Sequence, residues 1–245
     1  MKNDLFSIGP FTVHGYGLMI AIGVLSAYYM VEYRAKKKQM DWEKVFPLTV
    51  WSVLGGFLGS KILYLLTRLP DILANPVLLG SSIKDGFVVY GGIIGGILTA
   101  WIYCKCTKWN FWKIFDIAMP AVAMAQGFGR IGCLLAGCCY GIELDPANPI
   151  GIVFHNSAYA PNDVALLPTQ IISSVLDFAN CFVLLALSKK LKTDGQVASC
   201  YLIFYSIGRF VLEYFRGDLI RGNVGEFSTS QIILSLIHIS EPTRL

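Results

Sequence analysis

The sequence predicts an all-α, polytopic integral membrane protein with about seven transmembrane helices. Six apolar runs of roughly 20 residues, the length an α-helix needs to cross a bilayer, follow one another along the chain. Charged residues make up 15% of the sequence, against about 25% in soluble domains. Basic residues, moreover, gather in alternate short connections, as the two sides of a membrane require.

The first run covers about Val13 to Tyr33 and closes on Arg34, Lys36, Lys37 and Lys38. No basic stretch leads it and no small-residue cleavage site follows, so it reads as a retained helix rather than a signal peptide. The second, about Val45 to Leu66, holds Gly55 and Gly59 at GxxxG spacing and Lys61 within it. A connection with Pro70, Asn75 and Pro76 leads to the third, about Gly86 to Tyr103, where Gly91/Gly95 and Gly92/Gly96 repeat the spacing. Small residues four apart let two helix backbones approach closely in lipid. The fourth run, about Ile114 to Leu135, is expected to be interrupted at Pro120. Residues 141–168 hold Pro146, Pro149, Pro161 and Pro168 with no Lys or Arg, and read as a translocated loop, a candidate cap over a site. The fifth and sixth runs cover about Thr169 to Leu187 and Val197 to Phe215. Gln231 opens a seventh, but the polar stretch from His238 ends it early, so residues 238–245 read as a non-native tail on a truncated helix.

Residues 34–44, 104–113 and 188–195 are rich in Lys, whereas 1–12, 67–86, 141–168 and 216–230 carry few basic residues. The positive-inside rule then puts the N-terminus outside and the Lys-rich loops in the cytoplasm. The same alternation explains the net charge of +4 without nucleic acid, which is excluded as a partner. Seven cysteines, several within apolar runs, imply no disulfide framework.

Chemistry concentrates in Gly127-Phe-Gly-Arg-Ile-Gly-Cys-Leu-Leu-Ala-Gly-Cys-Cys-Tyr-Gly141. Its GxGxxG start follows an apolar helical run rather than a strand, so the dinucleotide reading fails and the glycines read as packing positions beside Arg130. Arg130 reads either as a helix-end residue snorkelling to headgroups or as a functional charge. Arg209, Glu213 and Arg216 stand at i, i+4 and i+7 and are expected to share a face of the sixth helix. That face is either a structural ion pair or, with Arg130, a site for a buried anion, most simply a phosphate, which guanidinium binds bidentately. Lys61 is a candidate for the same anionic site. His14, Tyr16 and Tyr90 read either as interfacial anchors or as site residues. Cys133, Cys138 and Cys139 lack a fourth ligand and paired CxxC spacing, so they read as apolar packing, with no metal and no cofactor expected.

These residues resemble the prolipoprotein diacylglyceryl transferases. The resemblance runs from Phe6-Ser-Ile-Gly-Pro and His14-Gly-Tyr-Gly-Leu-Met to Ser230-Gln231. Its marks are Gly129-Arg130-Ile-Gly132, Gly137 and Gly141; Pro168-Thr-Gln170; and Gly208-Arg209-Phe with Glu213-Tyr-Phe-Arg216. It implies one membrane-embedded transferase domain over residues 1–245, in the bacterial cytoplasmic membrane, with its site towards the extracytoplasmic leaflet. Such an enzyme moves the diacylglyceryl group of phosphatidylglycerol to the lipobox cysteine of a prolipoprotein and releases glycerol phosphate. By resemblance Arg130 and Arg209 handle the phosphate, Tyr16 and Glu213 match family positions, and Gly132, Gly141, Gln170 and Arg216 fall in the substrate-binding marks.

The chain departs from the family pattern in three places. Many members carry His-Gly-Gly where Tyr90-Gly91-Gly92 stands, and that histidine is a proposed base. A phenol with a pKa of about 10 is a poor base at neutral pH, which leaves His14 as a substitute, or another route to the thiolate. Asn is usual where Cys133 stands, and Asn-Gly-Glu where Ala136-Gly137-Cys138 stands. Lys61 takes the place of a common arginine. A divergent transferase with another acceptor, or a non-catalytic phospholipid-binding or phospholipid-transport protein, stays open at this point.

Overall fold

A computed structural model describes residues 4–8, 11–75, 80, 86–217, 223–224 and 227–228. A hairpin of β1 (Asp4–Ile8) and β2 (Phe11–His14) leads into α1 (Gly15–Lys37). A 3₁₀ turn, Trp42–Lys44, precedes α2 (Val45–Thr67), the short α3 (Leu69–Ala74) and α4 (Val89–Thr107). Then come α5 (Phe111–Ala136), the two-residue strands β3 (Ile152–Val153) and β4 (Ala165–Leu166), α6 (Thr169–Leu187) and α7 (Gln196–Glu213). A last pair, β5 (Asn223–Val224) and β6 (Phe227–Ser228), follows.

The long helices fall on the six predicted apolar runs, and the chain is an all-α polytopic membrane protein. Among the described residues α1, α2, α4, α5 and α6 are long and apolar enough to span a bilayer. Helix α7, of 18 residues, rises about 27 Å, and Arg209 and Glu213 lower its apolar content. The seventh segment from Gln231 and the tail 238–245 lie outside the described residues. Two expectations change. Helix α1 begins at Gly15 because Thr12, Val13 and His14, two of them β-branched, pair in the hairpin with His14 opposite Asp4. Pro120 does not interrupt α5, which runs unbroken through it; that proline is buried, and packed membrane helices can re-satisfy a backbone group that proline frees.

The described residues form two compact units, residues 31–115 and the remainder. Within residues 31–115, α2 and α4 pack through their glycines. An atom at Cβ of Gly59 would stand 2.9 Å from Gly95 Cα, and Gly91 and Gly95 face the Gly59 and Gly55 carbonyls just as tightly. The large side chains point the other way: Phe57 is 63% exposed and Ile94 63%, while only Val45, Leu48 and Ser60 of α2 are buried. This arrangement, small residues inside and large apolar ones outside, suits lipid as the surrounding solvent.

In the other unit α5 touches each neighbour. Gly23 of α1 packs on Ala125 and Phe128, and Gly132 of α5 on Tyr16 and Met19. Gly127 faces the Phe178 ring, and Ser174 of α6 donates to the Gly127 carbonyl at 2.9 Å. Tyr201 of α7 donates to Gln126 Oε1 at 2.9 Å. Buried Asp116 accepts the Gly195 and Ala198 N–H groups at 2.8 Å each, satisfying donors at the start of α7 and complementing its dipole. The 141–168 segment is folded, with Phe154, Ala160 and Leu166 buried against Leu134 and Tyr140.

The glycine packing makes a sharp test within one helix turn. Gly95→Ala should lower stability by about 1–3 kcal/mol through overpacking. At Gly96 the nearest atom to a new Cβ is Ser52 O at 3.5 Å, so Gly96→Ala should be neutral or stabilising. Thermal unfolding in detergent distinguishes the two.

Candidate active site

Sequence-distant residues converge at one end of α5, α6 and α7. Arg130, Cys139, Thr169, Gln170, Ser173, Arg209, Leu212 and Arg216 line a narrow, partly open cleft. Each element contributes for a local reason. Helix α5 stops after Arg130 in a Schellman turn: Gly137, at φ +75°, donates to the Leu134 carbonyl and Cys138 donates to that of Cys133. The chain then doubles back. Gly141 N–H donates to Leu167 O at 3.0 Å and Gly217 N–H to Tyr140 O at 3.1 Å, which ties the post-α5 turn to the start of α6 and the end of α7. A Cβ at Gly141 would lie 2.7 Å from Leu167 O and 2.8 Å from Phe215 O, so only glycine fits this crossing.

Three guanidinium groups meet here. Arg209 has Arg216 and Arg130 as like-charged neighbours. Carboxylates on the same helices offset part of that charge. Arg130 Nε lies 4.0 Å from Asp177 Oδ2 on α6, with side chains 23% and 10% exposed. Arg209 Nη1 lies 2.6 Å from Glu213 Oε2, at an angle that leaves that oxygen without a hydrogen-bond donor among the described residues. Three guanidinium groups lining one cleft make it a candidate site for an anion. Thr169 Oγ1 donates to Cys139 O at 2.8 Å and Gln170 Nε2 to Cys138 O at 2.9 Å. Gln170 is buried, and its Oε1 has no hydrogen-bond partner among the described residues. It is an acceptor left for a ligand's N–H or O–H.

A membrane-embedded arginine cluster of this kind fits a phosphate-bearing lipid, and comparison with known proteins settles the family. The profile of the prolipoprotein diacylglyceryl transferases matches residues 3–240. The chain belongs to that family. A Clostridium tetani protein named phosphatidylglycerol–prolipoprotein diacylglyceryl transferase is 45% identical over 234 residues, 95% of this chain and 92% of that protein. A Clostridium perfringens protein of the same name, numbered 2, is 44% identical over 239 residues, 98% and 92% of the two chains. One from Staphylococcus carnosus is 31% identical over 242 residues, 96% and 87%.

Arg130, Arg209, Arg216 and Gln170 thus come together in this diacylglyceryl transferase-family chain, with Glu213 pairing Arg209 and Gly141 closing the backbone around them. Arg216 does not share the α7 face as expected. The helix ends at Glu213, and an antiparallel bridge to Gly141 brings Arg216 to the cleft instead. Gly132 packs on Tyr16, which is 41% exposed and interacts electrostatically with Arg130. His14 is exposed at the end of β2. Tyr90 and Lys61 belong to the 31–115 unit. There Tyr90 is exposed, and Lys61 donates to Gly86 O at 3.1 Å beneath the Phe87 ring, 4.6 Å from its centroid.

Asp177 escaped the sequence analysis, although a lone carboxylate in the Thr169–Leu187 run carries the same signal that marks Arg130. Cys133, Cys138 and Cys139 place their Sγ atoms within 4.8 Å of one another. Spacing along the chain could not reveal this, because the Schellman turn and the left-handed Cys139 (φ +60°) fold the two later thiols back onto the first. Hydrogen bonding to Cys133, then to Cys139, pushes the Cys138 thiol far up from its ordinary value.

Breaking a fully buried ion pair costs about 3–5 kcal/mol. Arg130 and Asp177 are partly hydrated and loosely paired, so Asp177→Asn should cost about 1 kcal/mol or less. In a double-mutant cycle on thermal stability, Asp177→Asn should cost less in an Arg130→Met background than in the wild type. Equal costs in both backgrounds would show the pair to be uncoupled.

Proposed function

We propose that this chain transfers the diacylglyceryl group from phosphatidylglycerol to the lipobox cysteine thiol of a prolipoprotein, forming a thioether and releasing glycerol phosphate. The observation that carries the proposal is the convergence of Arg130, Arg209 and Arg216 on one cleft among membrane-spanning helices, in a chain of this family. The relatives' names supply the donor and acceptor.

The chemistry suits the site. The acceptor thiol gives up its proton to solvent, its sulfur attacks the glycerol carbon that bears the phosphate, a C–S bond forms, and the C–O bond breaks with its electron pair on the leaving phosphate. Charge therefore grows on the phosphate in the transition state. Fixed guanidinium groups in a water-poor cleft stabilise such charge without reorganising. Asp177 and Glu213 act as positioning residues that hold Arg130 and Arg209 in place. Gln170 Oε1, which has no hydrogen-bond partner among the described residues, accepts a hydrogen bond from a hydroxyl of the glycerol headgroup. Tyr16, beside Gly132 at the start of α1, lines the approach of the lipid.

The chain sits in the bacterial cytoplasmic membrane with its N-terminus and cleft on the extracytoplasmic side. Arg34, Lys36 and Lys37 in the last turn of α1 and Lys105 in that of α4 support this orientation, as they mark the cytoplasmic ends. Its partners are the bilayer, phosphatidylglycerol and the lipobox peptide, and nucleic acid is not among them.

The test supplies the detergent-purified protein with phosphatidylglycerol and a lipobox peptide, and mass spectrometry follows the diacylglyceryl adduct on the peptide cysteine. Arg130→Ala and Arg209→Ala should each lower transfer by about 10²-fold or more, the scale of losing one preorganised charge donor, while the protein still inserts and folds. Lysine should restore little, since it lacks the bidentate fork. Normal turnover in both alanine variants would overturn the assignment.

A further inference from the structure

We propose that Cys133, Cys138 and Cys139 hold a zinc ion whose fourth ligand is the acceptor cysteine, so that the metal turns the incoming thiol into a thiolate. The inference rests on the transferase reading above and adds to it a route to the nucleophile.

The geometry comes from the backbone. The Schellman turn sets Cys138 against Cys133, since its N–H bonds the Cys133 carbonyl at 3.1 Å. Cys139 then takes a left-handed conformation, φ +60°, which a side-chain-bearing residue rarely adopts. The result is a mutual Sγ separation within 4.8 Å. Tetrahedral zinc, with Zn–S of about 2.3 Å, needs sulfurs about 3.8 Å apart, so small χ rotations suffice. All three thiols converge, whereas a disulfide would use two and leave the third idle.

Three protein ligands leave one tetrahedral position open, the pattern of a reactive rather than a structural zinc site. That position adjoins the proposed donor site, because Cys139 also lines the cleft with Arg130, Arg209 and Arg216. Zinc with three thiolates carries one negative charge, and Arg130, which interacts with Cys133 and Cys139, offsets it. A coordinated thiol is deprotonated outright. The acceptor thiol would release its proton to water on binding and attack the glycerol carbon as a zinc-held thiolate. The C–S bond forms as the C–O bond to the phosphate breaks with its electron pair on the departing glycerol phosphate, and the product thioether, a poorer ligand, leaves the metal. This route answers the weakness of Tyr90 as a base.

The test uses the full chain in detergent, reduced and freed of adventitious metal, then loaded with Zn²⁺ or Co²⁺. The expected result is about one metal per chain by elemental analysis. The cobalt form should show near-ultraviolet thiolate-to-metal charge transfer and visible bands of tetrahedral geometry. Cys138→Ser and Cys139→Ser should reduce binding at least tenfold. A lipobox peptide should shift the visible bands, and its Cys→Ser version should not. Absence of metal and of charge-transfer bands in the folded wild type would overturn the proposal, with no variant needed. Visible bands indifferent to the lipobox peptide would overturn the fourth-ligand role. Full transfer by the metal-free protein would overturn the proposal while leaving the transferase reading intact. A peptide-responsive cobalt site without transfer would support the metal site and count against that reading instead.

Discussion

Keeping guanidinium groups charged inside a bundle of apolar helices is the constraint on which this structure turns. An arginine at such a depth is tolerated only where partners or water meet it. Here α6 supplies Asp177 to Arg130, and Glu213, one turn on from Arg209, answers that residue. Arg216 joins the other two at the cleft. Three guanidinium groups in a site of low dielectric are what an anionic headgroup would meet.

Helix α5 is where this constraint becomes architecture. It carries Arg130 and its glycines admit neighbours on two sides, with Gly132 against Tyr16 of α1 and Gly127 against Phe178 of α6. Its end is equally specific. Gly137 stops the helix, and Gly141 passes between Leu167 and Phe215 where no side chain fits. The same few residues therefore end the helix, bring Arg216 to the cleft and gather the cysteines. In the 31–115 unit, glycines perform a simpler task, joining α2 to α4 through backbone contact while Phe57 and Ile94 face outward.

Much of this was legible in the sequence. Apolar run length located the helices, and GxxxG spacing located the α2–α4 contact, because both depend on local composition. Charge in an apolar run pointed to Arg130 and Arg209. What stayed hidden depended on chain reversal. Arg216 looked like part of a helical face until the helix proved to end at Glu213, and the mutual approach of the three cysteine sulfurs depends on the turn at Gly137. Asp177 was readable by the rule that found Arg130, but its value lies in a partner 47 positions away. Val13 and His14 were placed in a helix because an apolar run does not mark where a hairpin ends.

The central claim is that the arginine cleft is a phosphate site for a membrane lipid. Native mass spectrometry of the detergent-purified protein tests it most directly, comparing retention of phosphatidylglycerol with that of a diacylglycerol of the same acyl chains. The account predicts that phosphatidylglycerol is retained, that the phosphate-free lipid is not, and that added glycerol phosphate displaces the first. Equal retention of both lipids, unaffected by glycerol phosphate, would mean that the acyl chains alone are held and would contradict the account.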